Sequence, residues 1–231
     1  MKNLKDLLNS KNIKTLLVIG LIKKAVVVAM LFLPQWLSAQ SDLEKRIISQ
    51  FEVLPITSKD IVFLGNSITE RGLWSEIFND VHCKNRGIGG QQTQDILERL
   101  HQVTDGKPKK IFLLIGINDL NGDPARTAKA VANIRTIIER IQTESPKTKL
   151  YVQSILPVGK NREEKNREVK KANPEIKKIC DEKGVTYIDI HSAFADEEGY
   201  LKQEYTINDG LHLNGAGYMA WAEILRPYVK K

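Results

Sequence analysis

Three residues of this sequence have the side-chain types that nucleophilic catalysis uses. Ser67 follows a short apolar run, and Asp209 stands three residues before His212 near the end of the chain. A serine hydroxyl is a poor nucleophile until a neighbouring base removes its proton, and a histidine imidazole is the base most often used. A carboxylate three residues away can bind the other ring nitrogen. We therefore expect Ser67 to be a nucleophile, His212 its general base and Asp209 the acid that orients the base.

Two further blocks offer hydrogen-bond donors for the negative oxygen that forms during acyl transfer. Gly89 and Gly90 predict a tight turn with open backbone N–H groups, and Asn118 carries a side-chain amide. Backbone N–H groups and asparagine amides are frequent oxyanion donors. We expect the N–H groups of Ser67 and Gly90, together with the Asn118 side chain, to form an oxyanion hole.

Each of these blocks, taken alone, has an ordinary structural explanation. Glycine followed by asparagine and serine is common in turns, and so are Gly89-Gly90 and Asp209-Gly210. Asn118-Asp119 suits a helix N-cap or a turn. Their combination favours catalysis, because the blocks follow one another at the ends of predicted elements.

The elements that must position these residues alternate between apolar strands and amphipathic helices after residue 40. The run 110–115 is apolar on both faces, which is typical of a central parallel strand covered by helices on both sides. The pattern predicts one α/β domain with a five-stranded, doubly wound parallel sheet. Strands are expected at 60–64, within 81–88, and at 110–115, 150–156 and 185–190. Helices are expected at 41–53, 71–79, 93–103, after Pro124, within 161–183 and at 215–228.

The predicted topology brings the polar blocks to one place. In open parallel sheets, ligands bind outside the carboxyl ends of the strands. Ser67, Gly90 and Asn118 follow the first three predicted strands, and Asp209 and His212 lie between the fifth strand and the last helix. We expect all five residues to meet at the carboxyl edge of the sheet.

The four blocks resemble those of the SGNH (GDSL-type) hydrolase family. They are FLGNSITE around Ser67, NRGIGGQQTQ around Gly90, LLIGINDL around Asn118 and NDGLHLNGAGY around His212, and they occur in the family's order. The resemblance implies a flavodoxin-like three-layer α/β/α sandwich. It also implies a Ser67 nucleophile, Gly90 and Asn118 as oxyanion donors, and Asp209 and His212 as the other members of a triad.

One position departs from the family pattern. The family usually has aspartate before the serine, where this chain has Asn66. That position supports the loop by hydrogen bonding and is not the triad acid. Asparagine retains an acceptor oxygen, so we expect the loop to form.

The chain is most similar to the family branch related to platelet-activating-factor acetylhydrolase, which includes exported bacterial sialate O-acetylesterases. This resemblance implies an ester hydrolase that removes short acyl groups, chiefly acetyl, from carbohydrates such as O-acetylated sialic acid through an acyl-Ser67 intermediate. A lysophospholipase or thioesterase of the same family is one alternative. A non-catalytic glycan-binding protein on the same scaffold is the other.

The first 40 residues are typical of an export signal. They hold six lysines and one aspartate, so five of the seven net positive charges lie there and the remainder gives no support to a nucleic-acid partner. The apolar run 25–33 precedes the small residues of 37–40 and is shorter than the ~20 residues of a membrane-spanning helix. We expect a signal peptide at 1–40, a hydrolase domain at 41–231 and a periplasmic or secreted product without stable membrane insertion. An uncleaved anchor is the alternative, and the oligomeric state stays open.

The cysteines and histidines do not have metal-ligand spacing. Cys83 and Cys180 stand far apart, and the four histidines are scattered, with no paired cysteines and no HExxH. We expect no metal and no cofactor. Two separately buried thiols are more in keeping with this pattern than a disulfide.

Overall fold

The computed structural model describes residues 42–230 of the chain. Residues 42–53 form a helix, α1. One compact unit begins within that helix, at Gln50, and contains the rest of the described chain. The predicted signal peptide, 1–40, lies outside the described residues.

Five parallel strands form a single sheet in the order β2-β1-β3-β4-β5. This is the flavodoxin-like order, and it confirms the predicted fold. The register pairs Gly65 with both Gly87 and Leu114, so the strands that precede Ser67, Gly90 and Asn118 end side by side. The strands are β1 (Ile61–Gly65), β2 (Cys83–Gly87), β3 (Lys110–Leu114), β4 (Lys149–Gln153) and β5 (Thr186–Ile188).

Helices connect the strands and close the chain. Asp123 caps the long helix α6 by accepting a hydrogen bond from the Ala125 N–H at 2.9 Å, and Pro124 occupies the first helical position, where its missing N–H is not needed. The helices are α2 (Ser67–Glu70), α3 (Trp74–Phe78), α4 (Thr93–Glu98), α5 (His101–Thr104), α6 (Pro124–Glu144), α7 (Glu163–Lys183), α8 (His191–Phe194) and α9 (Gly215–Lys230).

Some element boundaries differ from the sequence-based expectation. The helix expected at 93–103 is two short helices, interrupted at Arg99, where φ of −107° and ψ of 14° leave the helical region. The helix expected at 71–79 is shorter, and α2 precedes it at the end of β1. Strands four and five are also shorter than expected. Helix α8, which was not predicted, begins three residues after β5.

One face of the sheet is covered by aromatic side chains from α3 and α9. Phe63 of β1 stacks on Trp74 of α3 with ring centroids 4.3 Å apart, and it also stacks on Phe112 at 5.2 Å. Trp221 of α9 meets Trp74 edge to face at 4.7 Å. The Trp74 N–H donates to the Thr69 carbonyl at 2.9 Å, so the buried indole has its hydrogen-bond partner. These contacts fix α9 against α3.

The opposite face is covered by α4, α6 and α7, which pack against one another in that order. Their inward-facing residues at helical spacing are buried, as the predicted amphipathic patterns require. They include Ile96, Ile134, Ile138, Val169 and Ile176. The sheet therefore lies between two helical layers.

Both cysteines are buried and unpaired. Burial raises the pKa of the Cys83 and Cys180 thiols to about 12. The expectation of two separate buried thiols is confirmed. Within residues 42–230, no helix is both long and apolar enough to span a bilayer.

Candidate active site

Ser67, His212 and Asp209 form a continuous hydrogen-bonded chain at the carboxyl edge of the sheet. The Ser67 Oγ lies 3.0 Å from the His212 Nε2, and the His212 Nδ1 lies 2.5 Å from the Asp209 Oδ2. Ser67 is 7% exposed, and the side chains of His212 and Asp209 are 16% and 32% exposed. The serine and the histidine are 145 residues apart in sequence. The fold therefore brings together the three residues that were grouped from their types and spacing.

The position of Ser67 is set by the tight end of β1. A Cβ at Gly65 would lie 2.3 Å from the Leu114 carbonyl oxygen, so only glycine lets β1 and β3 approach this closely. Asn66 then caps α2, and its Oδ1 accepts the Ile68 N–H at 3.0 Å. The Tyr218 hydroxyl donates to the Ile68 carbonyl at 2.7 Å from the far side. Ser67 is consequently held as the first residue of a capped turn.

Asn66 supports the serine loop by hydrogen bonding, as was expected for this position. Its side chain is 1% exposed, and its oxygen makes the capping bond. Its Nδ2 has no hydrogen-bond partner in the described part of the chain. Since the acceptor oxygen is retained, the substitution of asparagine for aspartate leaves the geometry of the serine turn in place.

The loop from Thr206 to His212 holds the acid and the imidazole in one rigid turn. The Asp209 Oδ1 accepts the backbone N–H groups of Leu211 and His212, both at 2.9 Å. Gly210, at a φ of 65°, makes the turn between them. The Thr206 hydroxyl donates to the His212 carbonyl at 2.9 Å. Asp209 therefore orients His212 through hydrogen bonds to both the backbone N–H and the ring of that residue.

The same bonds keep Asp209 ionised. Partial burial by itself raises the pKa of this carboxyl, but hydrogen bonds from the His212 N–H, the His212 ring and the Leu211 N–H outweigh it and lower the pKa to about 2. A lowered pKa in the folded state contributes stability that is complete above the ordinary value of about 3.9 and is lost as the pH falls toward 2. Between pH 7 and 4 the carboxylate does not change its charge.

A pH dependence of activity follows from the role proposed for the imidazole. In acid, kcat/KM for an ester is expected to fall, because a protonated imidazole cannot accept the Ser67 proton. The melting temperature is not expected to change through Asp209 until the pH is below about 4. Parallel pH series of initial rates and melting temperatures would measure both. Activity that stays flat down to pH 4, or that falls only as the protein unfolds, would contradict this account.

The predicted oxyanion donors lie on two loops that are tied together. The Ile88 N–H donates to the Gly65 carbonyl at 3.1 Å and starts the turn that carries Gly90, whose φ is 81°. The Asn118 Nδ2 donates one hydrogen to the Gln91 carbonyl at 2.9 Å. The second hydrogen of that amide makes no bond within the described chain, and neither does the Gly90 N–H. Both donors are thus available to a ligand oxygen.

Similarity to known proteins covers the same part of the chain as this site. A model of the GDSL-like lipase/acylhydrolase family matches residues 63–220, which include Ser67, Gly90, Asn118, Asp209 and His212. The chain belongs to this family. The expected family membership is therefore confirmed.

This GDSL-like chain also has relatives of known name. It is 31% identical over 180 residues, 73% of each chain, to platelet-activating factor acetylhydrolase IB subunit alpha2 of Rattus norvegicus. A solved structure from Streptococcus pneumoniae, described by reference to platelet activating factor, is 31% identical and superposes with a TM-score of 0.75 over 88% of this chain and 99% of that one. The acetylxylan esterase Axe2 of Geobacillus stearothermophilus, 19% identical, shares the fold with a TM-score of 0.61 over 74% and 94% of the two chains.

Removal of the Asn118 amide tests its part in the site of this acylhydrolase. Asn118→Ala is expected to reduce kcat by about 10²–10³ with a modest change in KM, because an oxyanion donor acts mainly in the transition state. Steady-state kinetics with p-nitrophenyl acetate would measure the two constants. Asn121→Ala, in the same loop, is the matched control for this ester. An unchanged kcat in Asn118→Ala would remove Asn118 from the oxyanion hole.

A buried arginine that was not predicted joins the loops of the GDSL-like site. Arg99, 4% exposed, donates from Nε to the Gln91 Oε1 at 2.6 Å. Its Nη2 donates to the carbonyls of Gly65 at 3.2 Å and Arg86 at 2.9 Å. Because the Gln91 carbonyl in turn accepts the Asn118 amide, one guanidinium connects the ends of β1 and β2 to the Asn118 loop.

The sequence did carry a signal for this arginine. Arg99 shares one helical face with Ile96, Leu100 and Val103, which are fully buried. An arginine on an apolar face is rarely buried without partners. That pattern marks Arg99 as a side chain with an internal role.

A second unpredicted network holds Asn118 from its other side. Asp119 is 6% exposed and accepts the Thr93 hydroxyl at 2.6 Å and the Thr93 N–H at 3.1 Å. The Asn133 Nδ2 donates to the same threonine hydroxyl at 2.9 Å. Burial raises the pKa of Asp119, although the bonds from Thr93 oppose it. Asp119 therefore fixes its loop to α4 and α6.

Arg99 is expected to act on both stability and turnover. Arg99→Met removes the donor of three buried acceptors and should lower the free energy of unfolding by about 2–5 kcal/mol. It should also lower kcat on the order of tenfold with little change in KM, because Gln91 and Asn118 lose their support. Urea unfolding and steady-state kinetics would measure these effects, with Arg99→Lys as a partial rescue and the surface variant Arg135→Met as the control. Lower stability with an unchanged kcat would limit Arg99 to a structural role.

No group of three or more histidine, cysteine, aspartate or glutamate side chains is arranged to hold a metal ion anywhere in residues 42–230.

Proposed function

We propose that this protein is a serine ester hydrolase in which Ser67 is the nucleophile, His212 the general base and Asp209 the orienting acid. The observation that carries the proposal is the pair of contacts at His212, 3.0 Å to the Ser67 Oγ and 2.5 Å to the Asp209 Oδ2. Membership of an acylhydrolase family supports the same reaction class.

The proton positions follow from the acceptors. An ionised carboxylate has no hydrogen to donate, so the Nδ1 of His212 carries the hydrogen that Asp209 accepts. The Nε2 then presents a lone pair to the Ser67 hydroxyl. This is the tautomer that a general base requires.

The reaction proceeds in two balanced halves. The Ser67 Oγ attacks the acyl carbon while its proton passes to the His212 Nε2, and the carbonyl oxygen becomes the oxyanion held by Gly90 and Asn118. The bond to the alcohol oxygen breaks, and that oxygen takes the proton from His212, leaving an acyl-Ser67 ester. Water attacks this ester with His212 again accepting a proton. The proton returns to the Ser67 oxygen as the carboxylic acid leaves.

Within this function, we assign short acyl groups, chiefly acetyl, to the site and carbohydrates such as O-acetylated sialic acid to the alcohol side. The support is the resemblance to the branch of exported O-acetylesterases. The names of a 31% identical relative, a platelet-activating factor acetylhydrolase, and of a fold neighbour, an acetylxylan esterase, also refer to acetyl esters.

A chain-length series tests the acyl specificity. Initial rates of the domain 41–231 on p-nitrophenyl esters from acetate to palmitate should be highest for acetate or propionate and fall steadily beyond butyrate. A maximum at eight carbons or more would instead support a lysophospholipase or thioesterase. Equal rates for the wild type and Ser67→Ala with every ester would overturn the ester hydrolase itself.

We further propose that the protein is exported, on the strength of the lysine-rich and apolar pattern of residues 1–40. N-terminal sequencing of the protein recovered from cell fractions tests this. The mature protein should begin near residue 40 and be found outside the cytoplasm. An intact N-terminus in the cytoplasmic fraction would contradict the proposal.

A further inference from the structure

A polar cleft of about 450 Å³ lies at the carboxyl edge of the sheet, beyond β3 and β4. It is large enough for a small organic group. Its walls come from the loop that follows Asn118 and from the start of α7, and they contain no apolar side chain. The lining residues are Asn121, Lys160, Asn161, Arg162, Glu163, Glu164 and Lys165.

The cleft is fastened to the loop that carries the triad acid. The Arg162 Nε donates to the Asp209 carbonyl at 3.0 Å, and the Asn161 Nδ2 is 3.4 Å from the same oxygen. The Gly159 N–H donates to the Gly210 carbonyl at 2.7 Å. A Cβ at Gly159 would lie 2.9 Å from the Gly210 Cα, so the two backbones are in close contact. One wall of the cleft is thus in direct contact with the loop that contains Asp209.

The opposite wall is fastened to the oxyanion loop. The Lys165 Nζ donates to the Ile117 carbonyl at 3.0 Å and also to the Leu120 carbonyl. These two residues flank Asn118 in sequence, and Asn121 follows them into the cleft. The cleft is therefore bonded to both of the loops that carry His212 and Asn118.

Some polar groups of the cleft already have a hydrogen-bond or ion-pair partner, and others are open to a ligand. Lys160 pairs with Glu198 at 3.0 Å, Glu163 pairs with Arg167 at 3.1 Å, and Lys165 binds its two carbonyls. The groups without a recorded partner among residues 42–230 are the Glu164 carboxylate, the two terminal guanidinium nitrogens of Arg162 and the Asn121 Nδ2. The open set contains both donors and an acceptor.

This mixture matches the chemistry of a polyol. A hydroxyl group both donates and accepts, so neighbouring hydroxyls can bind an amide N–H, a guanidinium and a carboxylate at the same time. An acyl or alkyl chain would find no apolar wall. The groups present therefore favour a sugar over a lipid.

We propose that this cleft, lined by Asn121, Arg162 and Glu164, is the subsite for a polyhydroxylated leaving group, a sugar ring whose ester lies over Ser67. The proposal rests on the ester hydrolase function. Arg162 has two parts in it, because the guanidinium that supports Asp209 through Nε turns its other nitrogens toward the sugar. The subsite specifies the alcohol side of the ester, whereas Gly90 and Asn118 bind only the acyl oxygen.

Kinetics with two kinds of acetate ester test the subsite. The probes are p-nitrophenyl acetate, ethyl acetate, and a panel of mono-O-acetylated glucoses and xyloses that share the acyl group. The wild type should hydrolyse at least one acetylated sugar with a kcat/KM at least tenfold above that for ethyl acetate. Glu164→Gln and Asn121→Ala should each lower the ratio of kcat/KM for that sugar to kcat/KM for p-nitrophenyl acetate by about tenfold, chiefly through KM. The first removes the charge from an acceptor of a hydroxyl, and the second removes a donor to a hydroxyl.

Glu175→Gln, an exposed carboxylate farther along α7, is the matched control and should leave the ratio unchanged. The subsite is overturned if no acetylated sugar exceeds ethyl acetate, or if the cleft variants do not change the ratio, while p-nitrophenyl acetate is still hydrolysed in a Ser67-dependent manner. Absence of hydrolysis of every ester would overturn the ester hydrolase function instead, so the two failures are distinguishable.

Discussion

Replacement of Ser67 by alanine is expected to lower kcat/KM for p-nitrophenyl acetate by a factor on the order of 10⁴–10⁶. The loss is large because no acyl-enzyme can form once the Oγ is absent, and the remaining oxyanion donors give only a small residual rate. Within residues 42–230 the Ser67 hydroxyl is hydrogen-bonded only to His212, so folding should be nearly unaffected. Initial rates of p-nitrophenol release would measure the activity, and a thermal melt would measure the stability.

The matched control is Ser75→Ala, which makes the same serine-to-alanine change at an exposed position in α3. It should retain wild-type rates. If Ser67→Ala kept more than about a tenth of the wild-type activity, and Ser75→Ala had the same rate as Ser67→Ala, a Ser67 nucleophile would be excluded.

Asp209→Asn is expected to lower kcat by about 10⁴ while the protein remains folded. The new amide can turn an N–H toward the His212 Nδ1, which favours the tautomer with its hydrogen on Nε2. That nitrogen then donates toward Ser67 and cannot accept its proton. The residue also loses the charge that stabilises the imidazolium. Single-turnover kinetics would show slow acylation and no burst.

Asp196→Asn is a well-matched control for this change. The Asp196 carboxylate also accepts two backbone N–H groups in a loop, from Glu198 at 3.0 Å and Tyr200 at 2.8 Å, but it is not bonded to His212. Its variant should keep full activity. If Asp209→Asn lost no more activity than Asp196→Asn, the orienting role of Asp209 would be wrong.

Much of the site could be predicted because its positions follow from general rules of parallel sheets. Ser67, Gly90 and Asn118 stand directly after strands whose apolar runs are visible in the sequence, and parallel strands end at one edge. The contact between Asp209 and His212 follows from a spacing of three residues. Only the contact from Ser67 to His212, across 145 residues, needed the fold to be right.

The sequence does not reveal the hydrogen-bond partners of the remaining side chains, although the apolar face around Arg99 indicates that this residue is internal. Arg99 binds backbone carbonyls of two strands, and Arg162 binds the Asp209 carbonyl. A carbonyl is present at every residue, so residue types do not reveal which one a guanidinium will reach. The interruption of the helix at Arg99 was missed for a different reason, because the amphipathic spacing continues through the break.

The most direct test of the central claim is covalent labelling with a fluorophosphonate, followed by mapping of the modified peptide by mass spectrometry. An activated serine attacks the phosphorus and displaces fluoride, which leaves a stable adduct on its oxygen. The account predicts one adduct, on Ser67, that is absent in Ser67→Ala and forms far more slowly in His212→Ala. A wild-type protein that folds normally but carries no adduct on Ser67, or that labels equally fast without His212, would contradict it.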